Sequence, residues 1–147
     1  MKTSFFSVSC LVLFALIFCP SCSIKKLAMN QVANALTGGS SSTVFTGDND
    51  PELVGDALPF AIKMYESLMV ANPRHPGLRL QTGSLYVMYA NAFLQTPASM
   101  LSEAEYKKQE FSYRRAKNLY LRGCDIILTC LEDKYPGFRE NLQKKRY

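Results

Sequence analysis

Apolar positions recur along most of the chain at steps of three and four, the spacing that lines one face of an α-helix. Between residues 51 and 71, Leu53, Ala57, Phe60, Ala61, Met64, Leu68 and Ala71 keep that step and predict a helix with one buried stripe. Leu78, Leu85, Tyr89, Ala92 and Phe93 carry a second stripe, with Gly83, Ser84, Ala90 and Ala92 as small residues that permit close approach by a neighbouring helix. Tyr106, Tyr113, Ala116, Tyr120, Cys124, Ile127 and Leu131 trace a third through to Lys134, which Gly123 is expected to soften midway. Nearer the N-terminus, Ile24, Leu27, Ala28, Val32, Ala35 and Leu36 mark a shorter helix. No strand-like alternation of useful length interrupts this series, so the fold class is all-α.

Breaker clusters separate the stripes. "TGGSSST" at 37–43 ends the first helix, "NPRHPG" at 72–77 ends one helix and starts the next, and "QTPAS" at 95–99 predicts a turn. Pro59 lies inside a helical pattern, where proline removes a hydrogen bond and crowds the preceding turn, so a bend or a split into two segments is expected there. "HPGLR" at 75–79 and "YPGFR" at 135–139 stand sixty residues apart, each after an apolar helix, and the second opens a short closing helix. Tetratricopeptide repeats recur at about 34 residues; here the helices are longer, but antiparallel hairpins stacked side by side follow from the same logic. The expected architecture is a tetratricopeptide-like solenoid over 51–147, preceded by a signal segment at 1–21 and a short helix with a Gly/Ser-rich tether at 22–50.

"TGDNDPELVGDALPF" at 46–60 concentrates Asp48, Asp50, Glu52 and Asp56, which could form a calcium loop, a pair of catalytic carboxylates or a helix start. Pro51 suits the first helical position, where its fixed φ is preorganised and its missing N–H costs nothing. Asp50 before it is a strong N-cap residue, and Glu52 falls in the first turn, where the helix dipole favours negative charge. A hand-type calcium loop requires a ligand series with a central glycine and a closing glutamate, and none follows Asp48. The cap reading is preferred. "SEAE" at 102–105 has the form of a capping box with Ser102 at the cap and Glu105 three residues on.

The N-terminus changes the picture. Lys2 precedes an apolar run of 14 residues, Phe5 to Phe18, and then Pro20-Ser21-Cys22, the three-part plan of a secretory signal. A spanning helix needs about 20 apolar residues, so an uncleaved anchor ranks second. "FCPSC" resembles the box that precedes a lipidated bacterial cysteine: Ser21 fits, whereas Cys19 and Pro20 depart from the usual residues. Cys22 is therefore the candidate lipid-attachment residue, with ordinary cleavage nearby as the alternative. Cys124 and Cys130, six residues apart on one helix, lie about 9 Å apart along its axis, beyond the roughly 7 Å that a disulfide spans. Two packed free thiols are expected, and no disulfide framework.

The formal charge of +5 is uneven: residues 102–147 hold eleven Lys and Arg against seven Asp and Glu, whereas residues 22–101 hold five of each. Mixed signs at helical spacing mark a solvated face, and an exported chain is not expected to meet nucleic acid. There is no GxSxG, HExxH, CxxC pair or phosphate-cradling glycine loop, so no enzyme activity, cofactor or metal is expected. His75 is read as a helix cap or as making no cap at all. Phe60, Tyr86, Tyr89 and Phe93 are spaced as core, and equally as the lining of a groove for an apolar ligand; periodicity does not separate the two uses.

"DNDPELVGDALPFAIKMYESL" and "NPRHPGLRLQTGSLYVMYANAF" resemble the TatT component family, lipoprotein partners of TRAP-type transporters with tetratricopeptide-like folds. The resemblance runs through Asp50-Pro51-Glu52-Leu53-Val54, Ala57-Leu58-Pro59, Asn72-Pro73 with His75, and Tyr89-Ala90-Asn91-Ala92-Phe93. It continues into "RRAKNLYLRGCDIIL" and "YPGFRENL", and covers the N-terminal half of such proteins. It implies a periplasmic, lipid-anchored, non-enzymatic accessory protein. Such a protein associates with the substrate-binding P component, forms a homo-oligomer around a channel and passes small organic molecules onward. The competing expectation is a generic helical envelope lipoprotein, a scaffold or assembly factor with no ligand.

Overall fold

The structure, a computed structural model, describes residues 21–39 and 43–145 and is helical throughout, with no strand among the described residues. Residues 1–20 of the expected signal segment lie outside the described residues, as does the side chain of Cys22. The chain divides into two compact units, residues 1–32 and 33–147. The described part of the first unit is the opening of helix α1 (Ser21–Thr37), which exposes Ile24, Leu27 and Val32.

The second unit begins with the end of α1. Thr37 Oγ1 donates to the Ala33 carbonyl at 2.8 Å and the Gly38 N–H to that of Asn34 at 2.9 Å, closing the helix at the predicted breaker. Ala33 is fully buried and the Leu36 carbonyl accepts a hydrogen bond from the Tyr65 hydroxyl at 2.7 Å, so the folded unit starts well before residue 51. A single turn, α2 (Thr43–Thr46), sets Phe45 against the core.

Helix α3 (Pro51–Ala71) starts as its sequence dictates: Asp50 Oδ1 accepts from the backbone N–H groups of Glu52 at 3.1 Å and Leu53 at 3.0 Å, and Pro51 is the first helical residue. Pro59 neither splits it nor ends it. The amide missing at Pro59 would have bonded the carbonyl of Gly55, and Pro59 is solvent-exposed, so the lost bond lies where water can replace it. The buried stripe is Val54, Leu58, Ala61, Ile62 and Tyr65, one position round from the predicted one; Leu53, Phe60 and Met64 face solvent.

Helix α4 (Pro76–Tyr89) packs between α3 and α6 (Tyr106–Lys134). Glu66 of α3 meets Tyr86 of α4, and Gly55 of α3 meets Phe93 just beyond the end of α4; the contacts of α4 with α6 pair Pro76 with Cys130 and Gly83 with Gly123, so each neighbour runs antiparallel to it. Leu58, Leu78, Leu85 and Thr82 are the largest fully buried side chains; each aliphatic one removed from water stabilises the fold by about 1.5–3 kcal/mol. Thr82 satisfies its hydroxyl on the Leu78 carbonyl at 2.6 Å.

The predicted turn at 95–99 is absent. The chain passes from α4 through a wide π-helical stretch, Ala90–Gln95, into α5 (Thr96–Ser99), and the Thr96 N–H reaches back to the Asn91 carbonyl. Pro97 has no N–H for the Phe93 carbonyl and its ring crowds that carbonyl; the wider turn just upstream relieves the crowding, and π-turns of this kind are single-turn insertions in otherwise regular helix.

Ser102 does not close a capping box. It precedes a 3-10 turn, Glu103–Glu105, makes no side-chain capping bond, and instead its carbonyl accepts the Glu105 N–H at 2.9 Å, a tightening that takes over the role of the hydroxyl. On α6 the inward side is formed by Ala116, which clusters with Ala90 and Leu94, and by Leu119, Gly123, Ile126, Ile127 and Cys130, while Tyr106, Tyr113 and Cys124 from the predicted stripe are exposed. Both thiols are free, and Cys124 is not packed. Helix α7 (Phe138–Lys144) follows Gly137, whose φ of 83° lies in the left-handed region that glycine adopts without strain.

Candidate functional site

Close approach of α4 and α6 builds the site's floor. A Cβ on Gly83 would stand 2.8 Å from the Gly123 carbonyl oxygen, and one on Gly123 would stand 2.7 Å from that of Gly83. The two glycines therefore let the backbones touch. Gly123 is a contact residue, not merely a soft point in α6.

At the end of this crossing the C-terminal turn of α3 stops short and leaves an open groove with a cavity volume of about 240 Å³. Met69, Val70 and Pro73 form one wall; Arg79 of α4 and Asp125, Ile126 and Thr129 of α6 form the other. Four of the seven lining residues are apolar, and the polar ones are tied to partners. Arg79 is ion-paired with Asp133. Arg139 Nη2 donates to Asp125 Oδ1 at 2.8 Å, to the Asp125 carbonyl at 3.1 Å and to Thr129 Oγ1 at 2.7 Å. The start of α7 is held in the same region, because the Glu132 carboxylate accepts the backbone N–H groups of Gly137 at 2.7 Å and Arg139 at 2.8 Å. Those two donors, Arg139 first, hold the Glu132 carboxyl below its ordinary value. A groove of this kind offers an apolar wall and a rim of matched charges, which suits an apolar group of a ligand or protein partner. It presents no nucleophile beside a base.

A second polar cluster locks α3, α4 and α6 together. The Glu66 carboxylate accepts from Lys63 Nζ at 2.7 Å, from the Tyr86 hydroxyl at 3.1 Å and from Arg122, whose guanidinium also lies 5.1 Å from the centre of the Tyr86 ring. Burial alone would raise the Glu66 carboxyl; the hydrogen bonds from Lys63 and Tyr86 and the charge of Arg122 outweigh it and hold it below its ordinary value. Burial, reinforced by that carboxylate, pushes the Tyr86 hydroxyl up.

Of the four aromatic residues considered as groove lining, three are together and none lines this groove. Tyr86 is buried at the three-helix junction, Tyr89 and Phe93 stack with ring centres 5.8 Å apart, and Phe93 fills the space beside Gly55. Phe60 stands apart, 75% exposed on the outer side of α3. His75 does cap a helix: its Nδ1 accepts the Leu78 N–H at 3.1 Å, and Nε2, 2.9 Å from Asn34 Oδ1, therefore carries the proton. Asp48 Oδ1 accepts the Asp50 N–H at 2.9 Å, so the acidic stretch is a turn leading into a cap. Among the described residues no three His, Cys, Asp or Glu side chains gather as metal ligands would, and no helix is long and apolar enough to cross a membrane. Sequence reasoning missed the groove because Met69, Val70, Arg79 and Ile126 come from three helices. Only the breaker at Asn72-Pro73, which stops α3 early, hinted at an open end.

Comparison with known proteins adds to this. A protein of Treponema pallidum (strain Nichols), described only as uncharacterized, is 41% identical over 150 residues, covering 94% of this chain and 46% of that relative. The chain thus spans about half the length of the relative it matches. The family model of the TRAP transporter T-component matches residues 47–147, a region that holds α3 to α7, the groove and the Glu66 cluster. By that match the chain belongs to the TRAP transporter T-component family.

Proposed function

We propose that the chain is a non-enzymatic accessory component of a TRAP-type transporter, exported by residues 1–21 and held at the periplasmic side of a membrane by a lipid on Cys22. It engages the substrate-binding P component and offers the groove between α3, α4 and α6 to an apolar part of its partner or of a small organic ligand. Membership of the T-component family supports the transporter context. The observation that carries the binding role is the groove itself, an apolar wall of Met69, Val70, Pro73 and Ile126 beside charges already paired. The apolar run before "FCPSC" supports export and acylation.

Two measurements test the reading. Cys22→Ser should move the chain from the membrane fraction to the soluble periplasmic fraction and abolish labelling by a fatty-acid probe; unchanged labelling contradicts the anchor. The chain should co-purify with the substrate-binding P component of a TRAP-type transporter. No complex at concentrations on the order of 10 µM would favour a scaffold without that partner.

A further inference from the structure

The opening of α1 carries an apolar face at the surface. Ile24 is 70% exposed, Leu27 62% and Val32 48%, and exposed Ala28 and Gln31 complete the set. These positions advance by three, one, three and one residues, the step that keeps side chains on one side of a helix. Ala33, which the core takes, stands nine residues beyond Ile24. At about 100° per residue it points the opposite way. The core thus claims the other side of α1. The helix includes Lys25 and Lys26 and holds no Asp or Glu, and Lys26 is exposed.

We propose that this face lies flat on a bilayer surface with anionic headgroups, as an interfacial helix. The inference rests on the reading of Cys22 as acylated and adds to it a lipid contact made by side chains. Ile24, Leu27 and Val32 stand two, five and ten residues beyond Cys22, or about 3, 8 and 15 Å along the helix axis. The headgroup layer is about 5–8 Å deep, so acyl chains on Cys22 keep the first two apolar residues at its depth. An upright helix would lift Val32 clear and leave the apolar face among polar groups. A flat helix sinks the whole face to the boundary of the acyl chains, where apolar burial holds such helices. Lysines with no acid beside them are drawn to anionic lipid and find no matching charge on a neutral surface. One acyl or helical signal binds a membrane reversibly and two hold it. Helix α1 supplies the second signal, and loss of the lipid on Cys22 still releases the chain.

The chain has no tryptophan, so a single introduced indole reports its own depth. Leu27→Trp, Asn30→Trp and Val32→Trp are each reconstituted into vesicles of phosphatidylcholine and phosphatidylglycerol with brominated acyl chains. A fatty-acid probe verifies acylation, and a circular-dichroism melt of each variant controls for folding. Positions 27 and 32 should both lose most of their fluorescence, and position 30, on the other side of the helix, should lose little. Replacing phosphatidylglycerol by phosphatidylcholine, or combining Lys25→Glu with Lys26→Glu, should restore much of the lost signal at both sites. Quenching that declines steadily from 27 through 30 to 32 marks an upright helix and overturns the proposal. So does quenching indifferent to lipid charge and to the two lysines. A labelled chain whose positions 27 and 32 escape quenching fails the proposal alone, whereas a chain without label fails the anchor reading and the proposal with it.

Discussion

The two apolar stripes of α3 are close in chemistry and opposite in fate. Val54, Leu58, Ala61, Ile62 and Tyr65 are buried against α4 and the end of α1, whereas Leu53, Ala57, Phe60 and Met64, one position round, remain at the surface. Hydrophobicity does not decide between them, since Phe60 is as apolar as anything in the core. The decision falls to polar groups at the edges. Tyr65 and Glu66 leave water only if they find partners, and the core-facing phase supplies the Leu36 carbonyl to one and Tyr86 and Arg122 to the other. The outer stripe has Asp56 and Lys63 at its edge, both exposed to solvent, with Lys63 also paired to Glu66. Burial is thus specified by where half-buried polar groups can be matched.

Removing Leu58 should break the core side most. Leu58→Ala leaves a cavity at a fully buried position and should cost about 2–5 kcal/mol in a denaturant melt. Gly123→Ala should follow: alanine favours a helix interior by about 1 kcal/mol, but a Cβ 2.7 Å from the Gly83 carbonyl must push α4 and α6 apart. A net loss of about 1–3 kcal/mol is expected, and a gain in melting temperature would show that the crossing has slack.

Glu66→Gln sharpens the polar side of the comparison and should cost about 1–2 kcal/mol at neutral pH. The sign with pH follows from the lowered carboxyl. Because the folded form holds the proton less tightly than the unfolded one, Glu66 stabilises the fold above the ordinary value of 4.5 and loses that contribution as pH falls through the lower folded value. Glu132 acts in the same direction. An acid titration of stability should therefore be shallower in Glu66→Gln than in the parent, and identical slopes would remove Glu66 from the account. Phe60→Ala should change the stability by less than about 0.5 kcal/mol, the smallest effect, because Phe60 buries little.

Much of the fold was legible from local rules. The Asp50-Pro51 start, the stop near Thr37, the His75 cap and the restart at Pro76 each depend on residues within one turn of one another, where capping chemistry acts. What was not legible depended on neighbours. Two apolar phases overlap on α3 and again on α6, and periodicity weighs them equally; the exposed Tyr106, Tyr113 and Cys124 belong to the phase that α4 does not cover. The role of Gly123 appears only when Gly83 is set against it. Pro59 and Pro97 both carry the signal of a break, yet α3 runs through one and a wide turn absorbs the other. The groove needed three helices in place before its wall existed, so no short stretch of sequence could announce it.

The most direct test of the functional account is the affinity of the chain for the transporter's substrate-binding protein, measured by titration calorimetry with the parent and with Val70→Asp, which sets a charge in the apolar wall of the groove at an exposed position. The account predicts a complex with the parent and a loss of about tenfold or more in affinity for the variant, with the variant's helix content unchanged. Equal affinity in the two proteins, or no complex with either, would contradict it.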